Sequence, residues 1–182
     1  MVLASVSPRP LSPCNTSTTS GPPTPTESTL SVASNDDNNR PLQTINSSIP
    51  WPGSCYMIRA SGSASVITLI DGRVTLKAPG GWGSIYWECV ENHGWLGFRA
   101  PASGQFLGHN MEGKLVCGAN RQAGWENFCV RAKPEGGFVL FLTHWEKLWV
   151  VGADEGGEGE KQLMKVSGGV DEGIVWDFVK VS

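Results

Sequence analysis

The residues of this chain best suited to chemistry are three histidines (His93, His109 and His144), eight tryptophans and five cysteines. No two histidines stand at metal-ligand spacing, so no zinc site is expected. The cysteines (Cys14, Cys55, Cys89, Cys117 and Cys129) are odd in number and never form Cys-x-x-Cys. Free thiols in a reducing compartment follow, and no local signature marks a Cys-His nucleophile. Three carboxylates, Glu88, Glu126 and Asp177, each follow a tryptophan. An acid and base pair must meet at one bond, whereas equivalent places in a repeat lie apart, so these acids are expected to face water or cap turns. The acidic insertion Asp154–Glu160 lacks the spacing of a calcium loop. No catalytic, metal or cofactor-binding residue is expected.

Binding chemistry remains. A sugar offers apolar C–H faces and hydroxyl edges, which suit an indole beside an amide or imidazole. Trp82 in the first long loop, His109-Asn110 after a strand end, and His144-Trp145 at the matching place of a later repeat have those chemistries. They are the candidate ligand-binding residues; the competing reading makes each an ordinary half-buried turn residue. For a protein partner, Arg99, Lys114, Arg121, Arg131, Lys133 and Lys147 are the cations that an acidic filament would need on one face. Sequence alone leaves them a solvated mixture.

The elements that must position these residues recur. Trp87-Glu88-Cys89-Val90, Trp125-Glu126-Asn127-Phe128 and Trp176-Asp177-Phe178-Val179 share the order tryptophan, acid, any, apolar. Turn signatures precede them: Asp71-Gly72-Arg73-Val74, Glu112-Gly113-Lys114-Leu115 and Gly159-Glu160-Lys161-Gln162-Leu163. The closing apolar residue precedes its tryptophan by 13, 10 and 13 positions. This is an internal threefold repeat. Between the signatures lie short β-type runs punctuated by Gly, Asp-Gly and Pro, four to a repeat, with no helical periodicity. Twelve strands in three sets fit a β-trefoil, a six-stranded barrel capped by three hairpins, whose closure removes sheet edges. In it the third residue after each tryptophan (Val90, Phe128, Val179) is expected to point into the core, and each tryptophan to cover one end of the barrel.

Residues 1 to 50 are dominated by Ser, Thr, Pro and Asn and contain no aromatic residue. They cannot bury enough surface to offset their ordering entropy, so a disordered tail is expected ahead of a domain over 51–182. The net charge of −3 argues against a nucleic-acid binder. No run of about 18 apolar residues exists and the N-terminus lacks a basic n-region. A cytoplasmic, monomeric protein without membrane contact is the expectation.

Within residues 53 to 182, Gly94-Trp95-Leu96-Gly97-Phe98-Arg99, Ser103-Gly104-Gln105-Phe106-Leu107-Gly108-His109, Trp125-Glu126-Asn127-Phe128-Cys129-Val130, Gly136-Gly137-Phe138-Val139-Leu140 and Trp176-Asp177-Phe178 resemble fascin-like, or actin-crosslinking-like, β-trefoil domains, especially a group of small fungal single-domain proteins. The resemblance implies a trefoil and a non-catalytic binding role, with a cytoskeletal, actin-like protein as partner. An intracellular carbohydrate-binding lectin is the alternative. Some fungal relatives carry a glycosyltransferase label, a distant third, since no Asp-x-Asp motif occurs and no room exists for a nucleotide-binding α/β domain.

Overall fold

The computed structural model describes residues 46–154 and 161–181. The expected tail, up to position 45, and the insertion after Asp154 fall outside the described residues, as does Cys14. Among the described residues, twelve strands and two short 3₁₀ turns make up the fold. The strands are β1 (Cys55–Ala60), β2 (Val66–Ile70), β3 (Arg73–Lys77), β4 (Tyr86–Asn92), β5 (Trp95–Arg99), β6 (Phe106–His109), β7 (Leu115–Ala119), β8 (Phe128–Ala132), β9 (Phe138–His144), β10 (Lys147–Ala153), β11 (Leu163–Val166) and β12 (Val175–Val181). The 3₁₀ turns are Gly124–Glu126 and Val170–Glu172.

Antiparallel pairing runs β1–β4, β4–β5, β5–β8, β8–β9, β9–β12 and β12–β1, which returns to its start. That closed ring is the barrel. The other six strands form the hairpins β2–β3, β6–β7 and β10–β11. They meet one another through Arg73↔Val116, Thr75↔Gln162 and Lys114↔Met164. The topology is that of a β-trefoil.

Each turn signature has one purpose in this frame. Val74, Leu115 and Leu163 are all buried where the hairpins converge. The amide of Gln162 donates toward the carbonyls of Val74, Leu115 and Leu163, at 3.4, 3.4 and 3.2 Å. One side chain thus ties the three repeats at their junction. Below it the core is aromatic: Phe178 stacks on Phe98 at 5.9 Å and meets Tyr56 and Phe138 edge-on.

The tryptophan signature needs correction in its middle copy. Trp87 and Trp176 are fully buried, but Trp125 is 40% exposed. It lies on the 3₁₀ turn Gly124–Glu126 ahead of β8, not in a strand. In strands β4 and β12, side chains two apart share a face, so Cys89 and Phe178 enter the core beside their tryptophans while Val90 and Val179 do not. In the middle repeat the buried pair is Glu126 and Phe128. The register there is displaced by one residue, which turns Trp125 outward.

The acids are committed too, rather than facing water. Asp177 and Glu88 lie directly across from Arg59 and Arg99 and pair with them at 2.7 and 2.5 Å. Glu126 caps its turn, accepting from the Ala123 amide at 2.9 Å. Ahead of position 51, Ser47 and Ser48 already lie on β12: the Phe178 amide donates to Ser47 Oγ, and the Ser48 amide to the Phe178 carbonyl.

Among the described residues no helix is long and apolar enough to cross a membrane, and no group of three His, Cys, Asp or Glu gathers as a metal site.

Candidate functional site

Four of the five candidate residues come together where the middle and last repeats meet. His109 ends β6 and His144 ends β9, so they occupy non-equivalent places in their repeats, contrary to the expected match. The tertiary fold nevertheless sets their rings 4.6 Å apart. Both are buried, at 2% and 1% exposed. Trp125 stacks on His109 at 5.3 Å and Trp145 stacks on His144 at 5.5 Å, each with an interplanar angle of 24°. The result is a row of four rings, indole, imidazole, imidazole, indole, with partly exposed outer members. Asn110 stands beside it, its side-chain oxygen accepting from the Glu112 and Lys114 amides to close the β6–β7 turn.

Local structure explains the placement. The 3₁₀ turn carrying Trp125 is tied to β9, since Thr143 Oγ1 donates to the Gly124 carbonyl and the Thr143 amide to Asn127. Gly108 lets that turn approach β6: a Cβ there would stand 2.9 Å from the Trp125 carbonyl. Trp145 and Glu146 are the two residues between β9 and β10, at φ +50° and +61°. Two-residue hairpin turns with both φ positive favour Asn-Gly or Asp-Gly. The Asp71-Gly72 and His93-Gly94 turns each place a glycine second, whereas Trp145-Glu146 has none. A bulky residue in the left-handed region is strained, and such strain collects at functional positions. Here it holds an indole out into solvent, 70% exposed.

Lys165 of β11 completes the cluster. Its Nζ lies 2.8 Å from His144 Nδ1 and 4.9 Å over the Trp149 ring, whose indole N–H donates to the His144 carbonyl. Its stem crosses Gly113, where a Cβ would collide with it. His109 bridges the Asn110 and Thr143 carbonyls at 2.8 and 2.6 Å. Burial pushes the His144 pKa below its ordinary value, and the charges of Lys165 and His109 add to that.

Trp82 stands apart. It is 93% exposed on the loop between β3 and β4 and makes no ring contact among the described residues. Of the cations considered for an acidic partner, Arg99, Lys114 and Lys133 are paired with Glu88, Glu112 and Asp171, and Arg131 lies over Phe141. A separate groove of about 470 Å³ runs between β5 and β8, lined by His93, Trp95, Phe128 and Cys129 among others.

Sequence reasoning missed Trp125, Trp149 and Lys165 as members of the cluster. The repeat itself concealed Trp125, because alignment on tryptophan placed it, like Trp87 and Trp176, over one end of the barrel. Lys165 carries no signal within its strand.

No family model matches the chain, and no match is found among curated proteins. Solved structures do match. The chain is similar to a structure titled BEL beta-trefoil, apo crystal form 3, at 14% identity and TM-score 0.58, covering 74% of this chain and 97% of that one. It is similar to ThreeFoil, a designed threefold-symmetric protein, at 15% identity and TM-score 0.55, covering 70% and 99%. A third match is the GlcNAcα1-4Gal-releasing endo-β-galactosidase from Clostridium perfringens, at 15% identity and TM-score 0.58. It covers 71% of this chain and 33% of that one, so the likeness spans about a third of the enzyme. These likenesses establish the β-trefoil fold and nothing finer.

Proposed function

We propose that this chain is a binding module without a reaction of its own, and that its ligand is a saccharide held at the Trp125–His109–His144–Trp145 row. The observation that carries the reading is the strained turn presenting Trp145 beside a second partly exposed indole, with buried imidazoles between them. Indole faces suit the C–H faces of a sugar, and imidazole and amide edges suit its hydroxyls. The glycan-releasing activity in the name of the Clostridium perfringens protein is consistent with this at the level of fold analogy.

The residues that carry the fascin-like resemblance serve the trefoil itself. Phe98, Leu107, Phe128, Trp176 and Phe178 are core, and Gly97 and Gly108 allow close approach of Gln122 and of the 3₁₀ turn. Their presence reports the fold more than the partner. A fascin-like module for an actin-like protein is the second reading, favoured by Trp82 and Trp51, which stand 93% and 72% exposed. The pairing of three of its candidate cations weighs against it.

A glycan array and a filamentous-actin pelleting assay on one preparation of the full chain decide between them. Saturable glycan binding that disappears in Trp145→Ala is the expected result. A blank array with actin in the pellet would transfer the chain to the second reading.

A further inference from the structure

The protons of the two buried imidazoles are set by what faces them. A lysine ammonium only donates, so Lys165 Nζ makes His144 Nδ1 the acceptor. The single proton of the neutral ring then sits on Nε2, which is buried and meets no hydrogen-bond partner. An unmet buried donor is costly and calls for an acceptor. His109 faces two carbonyl oxygens. Carbonyls only accept, so the His109 ring is held as a donor between them and offers no acceptor to the His144 N–H.

The row therefore presents one cation, Lys165, and one unsatisfied donor. Carboxylates nearby are committed or turned to solvent: Glu126 caps its own turn, Glu112 pairs with Lys114, and Glu146 is exposed. Among the described residues, no ion pair reaches Lys165 or His109. Charge that is partly withdrawn from water without a counter-charge favours an anion from outside.

Building on the saccharide reading above, we propose that the row selects an acidic sugar. An outer indole carries the C–H face, and a carboxylate or sulfate on the ring accepts from His144 Nε2. Lys165 supplies the positive field. Access runs past Trp145, which stacks on His144 yet is mostly in solvent, so that rotation of its side chain uncovers the imidazole.

The test titrates the full chain by calorimetry with matched probes: methyl β-glucuronide against methyl β-glucoside, and N-acetylglucosamine 6-sulfate against N-acetylglucosamine. An acidic probe should bind on the order of tenfold more tightly than its neutral partner, because a charge-assisted hydrogen bond is gained. The pair that shows the preference distinguishes carboxylate from sulfate. Raising salt from about 20 to about 300 mM should narrow it. Lys165→Met removes the charge and should abolish the preference while neutral binding persists; His144→Phe keeps a ring but removes the N–H, and should abolish the preference together with part of the neutral binding, with thermal melts confirming both variants folded. Equal affinity for acidic and neutral probes would overturn the selection and leave the saccharide reading standing. A preference that survives both substitutions would also overturn it, placing the anion elsewhere. Failure of every probe and every array glycan would remove the saccharide reading, and the selection with it.

Discussion

Trp87 and Trp176 give the fold an internal control. They occupy equivalent places in the first and last repeats, both are fully buried, and both pack in the same core cluster. They differ in one hydrogen bond. Trp87 Nε1 donates to the Ile67 carbonyl at 3.0 Å, whereas Trp176 Nε1 is buried without a partner. Phenylalanine removes the N–H and part of the ring at either site, so the shared packing loss should be similar, roughly 1–3 kcal/mol. At position 87 the substitution also forfeits a made bond and leaves a buried acceptor, a further ~1 kcal/mol. At position 176 it deletes an unsatisfied donor and recovers about 1–3 kcal/mol of desolvation cost. Trp87→Phe should therefore be less stable than Trp176→Phe by about 2–4 kcal/mol. With a urea slope of about 2 kcal/mol per molar, the midpoints should separate by about 1–2 M. Urea unfolding followed by far-ultraviolet circular dichroism reads this directly. Coincident midpoints, or a lower midpoint for Trp176→Phe, would refute the hydrogen-bond reasoning.

Other consequences can be checked on the same protein. Trp125→Ala should cost only about 2 kcal/mol in urea unfolding, below the ~3–5 of a buried aromatic, because its indole is partly in solvent. Because the folded-state pKa of His144 lies below the ordinary 6.5, the unfolded chain binds the extra proton first. The His144 contribution is then intact above about pH 6.5 and lost as pH falls below it, so melting temperatures measured from pH 7.5 to 5 should decline less steeply in His144→Phe. Burial pushes the Cys89 and Cys117 thiols up to about 12 and about 11. Alkylation at pH 8 with mass-spectrometric readout should label Cys55 and Cys129 first, and reach Cys89 and Cys117 only on unfolding.

The architecture was legible along the chain. Hairpin turns, short β-type runs and a doubled signature repeated three times specify twelve strands because local turn chemistry and period-two patterning act within a few residues. Val74, Leu115 and Leu163 were recognisable as equivalent, and all three are buried at the hairpin junction. The limit of that legibility is Trp125. Its signature matches Trp87 and Trp176, but a 3₁₀ turn displaces the middle repeat by one residue, and such a displacement exchanges the two faces of a strand. The candidate site was not legible in this way, because it joins side chains from five separate elements. Trp125, His109, His144, Trp145 and Lys165 approach one another through the β6–β7 and β9–β10 turns and β11. No spacing along the chain encodes a 4.6 Å approach between His109 and His144. Barrel closure and the meeting of the hairpins create it, which is why histidines in non-equivalent places of their repeats became neighbours and Trp82, chosen on the same chemistry, did not join them.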